Sequence, residues 1–434
     1  CLKIERADRV VEILERAFRT AMTGRKGPVY VGIARDILGQ EVDIELRPPA
    51  AYRPLGRVQP DPVEIGKAAE ILAGAEKPVI LAGGGVWWAE AQNEVTTLAE
   101  TITAFISTTY SHAGLIPQSH PLSIGSPEYQ YHRRDNTLYN AIIKDADVML
   151  AVGVTFSDRT TSNYHPSLMP PHLRIVQIDI DPSEIGKNYP VVQGVVGDAK
   201  PALGGIIRVL KETGGKRKDV ALAEKTRLAE RLKREEREKW LSKATSSARP
   251  IKRLRLIKDV FDFFGPKAVI SGSHGWRERV ADLTQPAFGD GGDFGTALGS
   301  GFCRSMAVKL VNPELDVVWL GGDGAFMMVL SELATAVAHK IPVISVINHN
   351  SAYGNEKVSQ WVRYQGRFVG TDLPIPDLAA VAKAFGAYGE RVESPEEIKP
   401  ALKRAADSKR PALIDVILDN SIEELDPSPL MRSQ

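Results

Sequence analysis

Two polar residues at the ends of apolar runs carry the chemistry legible in this chain. Asp323 follows Val317-Val318-Trp319-Leu320-Gly321-Gly322, and Asn350 follows Val343-Ile344-Ser345-Val346-Ile347-Asn348-His349. A carboxylate and a carboxamide oxygen are hard ligands. They suit Mg2+, which takes a few protein oxygens and completes its octahedron with phosphate oxygens and water. The glycines around Asp323 predict a tight turn that brings backbone close to a ligand. The N–H groups of the helix start after Gly324 would face an anion. The pair therefore reads as a divalent cation held on a diphosphate. For a lone Gly-Asp-Gly the alternative is a plain strand–turn–helix whose aspartate caps the helix. An asparagine 27 residues on (350 − 323), after a second apolar run, argues against it.

The elements that must position these residues follow from the pattern. Val317 to Leu320 reads as a buried strand. Phe326–Lys340 is expected to be one helix with Met327, Leu330, Leu333, Ala334 and Val337 on its apolar face, ended by Pro342. The next apolar run is a second strand, so Asp323 and Asn350 are expected at the carboxyl ends of parallel strands, where open α/β sheets bind ligands. Strands alternating with helices recur along the chain, which predicts an α/β protein with two doubly wound parallel-sheet domains plus a remnant of a third. The expected organisation is a remnant over 1–48, a Pro- and Arg-rich linker over 49–62, a central domain over 63–212, a charged helical linker over 213–249 and a ligand-binding domain over 250–434. Gly83-Gly84-Gly85 in the central domain would suit a phosphate cradle or a plain glycine turn. The charge-dense linker reads as a solvated helix.

Composition excludes several classes. A net charge of +1 gives no basic field for nucleic acid, and no apolar run approaches the roughly 20 residues of a membrane span. The two cysteines, Cys1 and Cys303, make no disulfide framework, which suits a reducing, cytoplasmic setting.

Gly322-Asp323-Gly324, followed after this interval by His349-Asn350 and then Ala352-Tyr353-Gly354, resembles the motif of the thiamin-diphosphate enzymes. The resemblance implies thiamin diphosphate and Mg2+ as cofactors, with Asp323, Asn350 and the carbonyl of Ala352 as metal ligands. His349 departs from the usual Asn-Asn, at the non-ligand position. Gly322, Gly324, Ala325, Phe326, Tyr353 and Gly354 are expected along the cofactor. So are Ser273, His274 and Gly275, which end an apolar strand where the family places an acid and a glycine; an ordinary loop histidine is the alternative for His274. Aligned backward from Asn312-Pro313, Leu298 falls where an apolar wedge bends the cofactor, a core leucine being the alternative. Gln360-Trp361, Arg367-Phe368 and Thr371-Asp372-Leu373 resemble the acetohydroxyacid synthase segment that closes over the active site. Leu298 and Trp361 are thus the candidate catalytic side chains.

Gly153 to Thr161 and the run Ile178-Asp179-Ile180-Asp181-Pro182-Ser183 are similar to the same group of enzymes, whose middle domain holds FAD. Here Thr155 stands where an FAD-contacting arginine sits, so FAD is expected to be absent or weakly held, arginine being the better phosphate partner. The step Gly354-Asn355-Glu356-Lys357 is instead similar to sulfoacetaldehyde acetyltransferase. The implied activity is decarboxylation of a 2-keto acid and joining of its fragment to a second carbonyl, with chemistry supplied by the cofactor. Alternatives are sulfoacetaldehyde acetyltransferase, another thiamin-dependent decarboxylase or lyase, or a truncated homologue that holds the cofactor without turnover. The implied partners are a small-molecule 2-keto acid or aldehyde and a second copy of the chain, as homodimer or homotetramer. A chain beginning at Cys1 with only the last helix and strand of a pyrimidine-binding domain is expected to be inactive alone. It would need the missing N-terminal domain in cis or trans.

Overall fold

The computed structural model describes residues 1–434 except 54, 55, 113, 118, 128–136, 159, 162, 163, 165, 167, 215–218, 266, 267, 273–297 and 426–434. By packing the chain forms two units interleaved in sequence: 1–104 with 146–155 and 172–218, and 105–145 with 156–171 and 219–434. Both have the parallel α/β architecture that the alternating pattern predicts.

In the first unit the strands Pro78–Ala82, Val148–Val152, Arg174–Asp179 and Gln193–Val196 lie side by side in that order, all parallel. A further parallel pair, Leu2–Ile4 with Val31–Ile33, lies ahead of them in the chain. The central strands are buried along their whole length, as strands covered on both faces must be. Asp61 and Asp198 start the helices Pro62–Ala73 and Ala199–Glu212 by accepting the N–H groups of Val63 and Lys200. The triple glycine leads into a helix of only six residues, Gly84–Ala89. Its glycines have a packing reason. A Cβ on Gly85 would lie 2.5 Å from the Cα of Gly153, and one on Gly83 2.3 Å from the Gly153 carbonyl oxygen. Gly153 itself has φ +59°, and its Cβ would fall 2.3 Å from the Cα of Gly85. Two backbones meet here with no room for side chains. Gly153→Ala should therefore combine overpacking with left-handed strain and cost roughly 2–4 kcal/mol. A denaturant midpoint equal to that of the unaltered protein would refute this.

The second unit holds the candidate site. Its sheet consists of β1 (Val269–Gly272), β2 (Val317–Gly322), β3 (Ile344–His349), β4 (Tyr388–Val392) and β5 (Ala412–Ile417), in the order β4-β5-β3-β2-β1, all parallel. Period-two alternation divides the apolar side chains between two cores. Val318, Leu320, Ile344, Val346, Ile414 and Val416 pack on one face with the helices Arg253–Phe264 and Ile398–Asp407. Val317, Trp319, Val343, Ile347 and Leu413 pack on the other with Phe302, Phe326, Leu333 and Ala336. The charged helix runs over Asp219–Ala244 and is not solvated all round: Ala229 and Ala244 are wholly buried.

The helix expected over Phe326–Lys340 is in fact two short helices, Asp323–Met327 and Glu332–Ala338. Between them the bonds from Val329 N–H to the Phe326 carbonyl and from Glu332 N–H to the Val329 carbonyl, both 2.9 Å, tighten the turn. This shift in phase exposes Met327 and Ala334 and buries Phe326 and Ala336 instead, while Leu333 is buried as expected. Among the described residues no helix is long and apolar enough to cross a membrane, and both cysteines are free and exposed.

Candidate functional site

β2 and β3 are neighbours in parallel register, with Asn348 beside Gly322. Asp323 and Asn350 therefore leave the sheet together at its carboxyl edge. Asp323 is only 2% exposed. Its Oδ1 accepts the N–H of Gly324 at 2.7 Å, and its Oδ2 accepts the N–H of Ser351 at 2.6 Å. That second bond ties the loop after β3 to the turn after β2. Burial raises the Asp323 pKa above the ordinary aspartate range, and the two backbone N–H groups pull it back only in part. Among the described residues no lysine or arginine pairs with it. Such a carboxylate is short of positive charge.

The loop after β3 is compact. Asn350 Oδ1 accepts the Ala352 N–H at 3.3 Å, and Ser351 takes φ +51°. Ala352 is buried and bridges Asp372 in antiparallel fashion. The Tyr353 N–H donates to the Thr371 carbonyl and the Leu373 N–H to the Ser351 carbonyl, each at 2.8 Å. The Thr371-Asp372-Leu373 segment is thus laid along the cofactor-motif loop. Around Gly324 a Cβ would meet side chains of Leu373 and Tyr353, both at 3.2 Å. Gly354 opens the helix Gly354–Arg363, which carries Trp361. Gln360 clamps the chain ahead of that segment, donating to the Val369 carbonyl at 3.0 Å and accepting the Val369 N–H at 2.7 Å.

The candidate residues separate into groups. The structure brings together Gly322, Asp323, Gly324, Asn350, Ala352, Tyr353 and Gly354. Phe326 turns its side chain into the core, with its ring 5.8 Å from that of Phe302, because the short helix points it inward; it offers a ligand no side chain. Ala325 is buried beside it. Leu298 is 47% exposed, so it is not a core leucine. Its neighbour Gly299 packs on this helix, where a Cβ would lie 2.9 Å from the Ala325 carbonyl. Ser273, His274 and Gly275 lie outside the described residues. In the first unit Thr155 is exposed, and its carbonyl accepts Asn188 Nδ2 at 3.1 Å. Arg159 lies outside the described residues.

One expectation about the turn needs correction. None of Gly321, Gly322 and Gly324 has a positive φ, so the turn itself does not demand glycine. The Asp323–Met327 helix is five residues long, and its Gly324 N–H is taken by the Asp323 carboxylate. What Gly322 does provide is space: among the described residues nothing lies within 4 Å of where its Cβ would be. A deeply buried carboxylate without a counter-charge, beside a carboxamide, a carbonyl and an open backbone edge, fits Mg2+ carrying a phosphate group. Among the described residues no cluster of three or more His, Cys, Asp or Glu side chains could hold a metal, so a metal here would rest on a single carboxylate.

A buried array that the motif did not point to stands behind this loop. His349 Nδ1 lies 2.7 Å from Asp415 Oδ1, and His349 Nε2 lies 3.1 Å from Ser351 Oγ. Asp415 Oδ2 also accepts the Leu378 N–H at 3.2 Å. The available signal was an acid inside the apolar run Ala412–Ile417, since a buried carboxylate needs partners.

Comparison with known proteins agrees with this geometry. Residues 65–206 match the family model "Thiamine pyrophosphate enzyme, central domain", and residues 272–416 match "Thiamine pyrophosphate enzyme, C-terminal TPP binding domain". The chain is 33% identical over 435 residues to a probable acetolactate synthase large subunit of Methanocaldococcus jannaschii, covering 96% of this chain and 71% of that protein. It is 32% identical over 428 residues to a sulfoacetaldehyde acetyltransferase of Castellaniella defragrans, covering 92% and 69%. The crystal structure of benzoylformate decarboxylase from Polynucleobacter necessarius shares the fold, with a TM-score of 0.73 at 20% identity over 96% of this chain and 75% of that one. With both family domains matched and relatives aligned along nearly its whole length, the chain belongs to the thiamine pyrophosphate enzyme family.

Proposed function

We propose that this protein catalyses thiamin-diphosphate-dependent decarboxylation of a 2-keto acid and joins the fragment to a second carbonyl, as an acetolactate synthase does. The observation that carries the reading is the bond from Ser351 N–H to Asp323 Oδ2, which sets a buried carboxylate without a lysine or arginine partner among the described residues against the Asn350–Ala352 loop. In this reading Asp323, Asn350 Oδ1 and the Ala352 carbonyl hold Mg2+, and Gly322 leaves room for the diphosphate. The bound cofactor supplies the carbanion chemistry. Leu298, exposed one residue before the Gly299 that packs on the Ala325 backbone, gives an apolar surface for the cofactor ring. The helix carrying Trp361, with the clamp from Gln360 to Val369, lays residues 367–373 along the loop and excludes water from the reacting end. The substrate would be a small 2-keto acid.

One observation favours a second reading, acetyl transfer from sulfoacetaldehyde to phosphate. Lys357, in the Gly-Asn-Glu-Lys step, is held against Asp372 at 2.9 Å and over the Phe368 ring at 5.6 Å. This cation lies within the segment that lines the site. A turnover screen on the natural protein separates the readings. Carbon dioxide release from pyruvate with formation of a branched hydroxy-keto acid supports the first. Acetyl phosphate formed only from sulfoacetaldehyde and phosphate supports the second. Tight cofactor binding without turnover of any 2-keto acid or aldehyde would leave a binding role.

A further inference from the structure

We propose that Asp415, His349 and Ser351 form a positioning device that holds the Asn350–Ala352 turn ready for the metal. The proposal rests on the reading of Asp323, Asn350 and Ala352 as the Mg2+ site. β5 and β3 pair so that Asp415 stands beside Ile347, on the same sheet face as His349. Asp415 is wholly buried and His349 is 5% exposed. Asp415 takes the hydrogen of His349 Nδ1 at 2.7 Å, and its other oxygen accepts the Leu378 N–H, so neither end of the carboxylate can swing. In the uncharged ring this fixes the tautomer and leaves a lone pair on Nε2. The Ser351 hydroxyl lies 3.1 Å from that nitrogen and donates to it.

Ser351 is the residue that needs holding. Its φ of +51° is left-handed, a conformation that costs a residue with a Cβ roughly 1–2 kcal/mol. From that conformation its N–H reaches Asp323 and its carbonyl takes the Leu373 N–H. A Ser351 free to relax would turn the peptide planes on either side of it. Those planes carry the Ala352 carbonyl and the attachment of Asn350. The array therefore acts on the metal through backbone conformation and through the Ser351 N–H that meets Asp323 Oδ2. Groups that orient metal ligands in this way typically change affinity 10–100-fold when removed.

The test is calorimetric titration of Mg2+ into the natural protein with excess thiamin diphosphate, run beside the thermal midpoint of the protein without either. Ser351→Ala should weaken the apparent Mg2+ affinity about 10–100-fold with little change in midpoint, because Ser351 is only half-buried. Ser351→Gly should bind more tightly than Ser351→Ala although it removes more atoms, because glycine takes a positive φ without strain. His349→Ala should weaken binding like Ser351→Ala; since it takes the hydrogen bond from one oxygen of the buried Asp415, the serine pair decides the matter should that variant fail to fold. Ser351→Ala binding as the unaltered protein does, or Ser351→Gly binding no better than Ser351→Ala, would overturn the proposal. If the unaltered protein binds and Asp323→Ala does not, that failure touches the positioning device alone. If the unaltered protein shows no Mg2+-dependent binding, the reading of the metal site fails and this inference with it.

Discussion

Asp323→Asn is expected to weaken Mg2+-dependent binding of thiamin diphosphate by at least about 100-fold, beyond what loss of an outer partner costs. The same change relieves the buried charge, but the amide can accept only one of the two backbone N–H groups, so the ligand-free protein should lose up to about 1–3 kcal/mol. The pH dependence of both quantities comes from the raised pKa. Burial makes the ionised carboxylate unfavourable, and two backbone N–H groups offset that only in part. A carboxyl whose folded pKa lies above its unfolded value stabilises the fold fully at low pH, and loses that contribution as pH rises through the folded pKa. The ligand-free protein should therefore weaken as pH climbs through this window, while Mg2+ affinity grows, because the cation binds the deprotonated form. Asparagine keeps the shape, discards the charge and should flatten both trends. Calorimetry and thermal melts across pH on the unaltered protein and the variant check this. Unchanged Mg2+-dependent affinity in Asp323→Asn would remove the metal assignment.

The site was legible in the sequence where it depends on local pattern. Two apolar runs ending in Asp323 and Asn350 must be buried strands, and parallel neighbours must present their ends together. What stayed hidden depends on register and tertiary packing. Asp415 lies 66 residues from His349, and only the pairing of β3 with β5 brings them together. β4 escaped notice because Tyr388-Gly389-Glu390-Arg391-Val392 mixes charge and glycine, as an edge strand can. The helix after Asp323 read as continuous since its apolar spacing is helical; the tight turn at Val329 resets the phase. Phe326 looked like a site residue from its place in the motif, yet its ring completes the core beneath the turn.

The glycines of that turn lead to the second large effect, a division of roles between Gly321 and Gly322. Trp319 is wholly buried, with ring centroids 5.6 Å from Phe302 and 6.0 Å from Phe326. A Cβ on Gly321 would lie 2.3 Å from Trp319 Cη2 and Cζ2, and one on Gly301 2.5 Å from Trp319 Nε1. These two glycines make room for an indole that has nowhere else to go in a close-packed interior. Gly321→Ala should therefore overpack the core and cost about 1–3 kcal/mol, lowering the thermal midpoint with or without cofactor. Gly322 has an ordinary extended backbone, φ −80° and ψ 153°, and among the described residues nothing within 4 Å of where its Cβ would be. Gly322→Ala should leave the ligand-free midpoint unmoved, within roughly 0.5 kcal/mol. Its methyl group would instead enter the space next to Asp323 that the proposed diphosphate needs. Each 1.4 kcal/mol of crowding there is about tenfold in affinity, so a loss of about tenfold or more is expected. The two adjacent substitutions should thus separate cleanly, one in the melt and the other in the titration. Should Gly322→Ala bind thiamin diphosphate as tightly as the unaltered protein, the diphosphate does not pass over this turn.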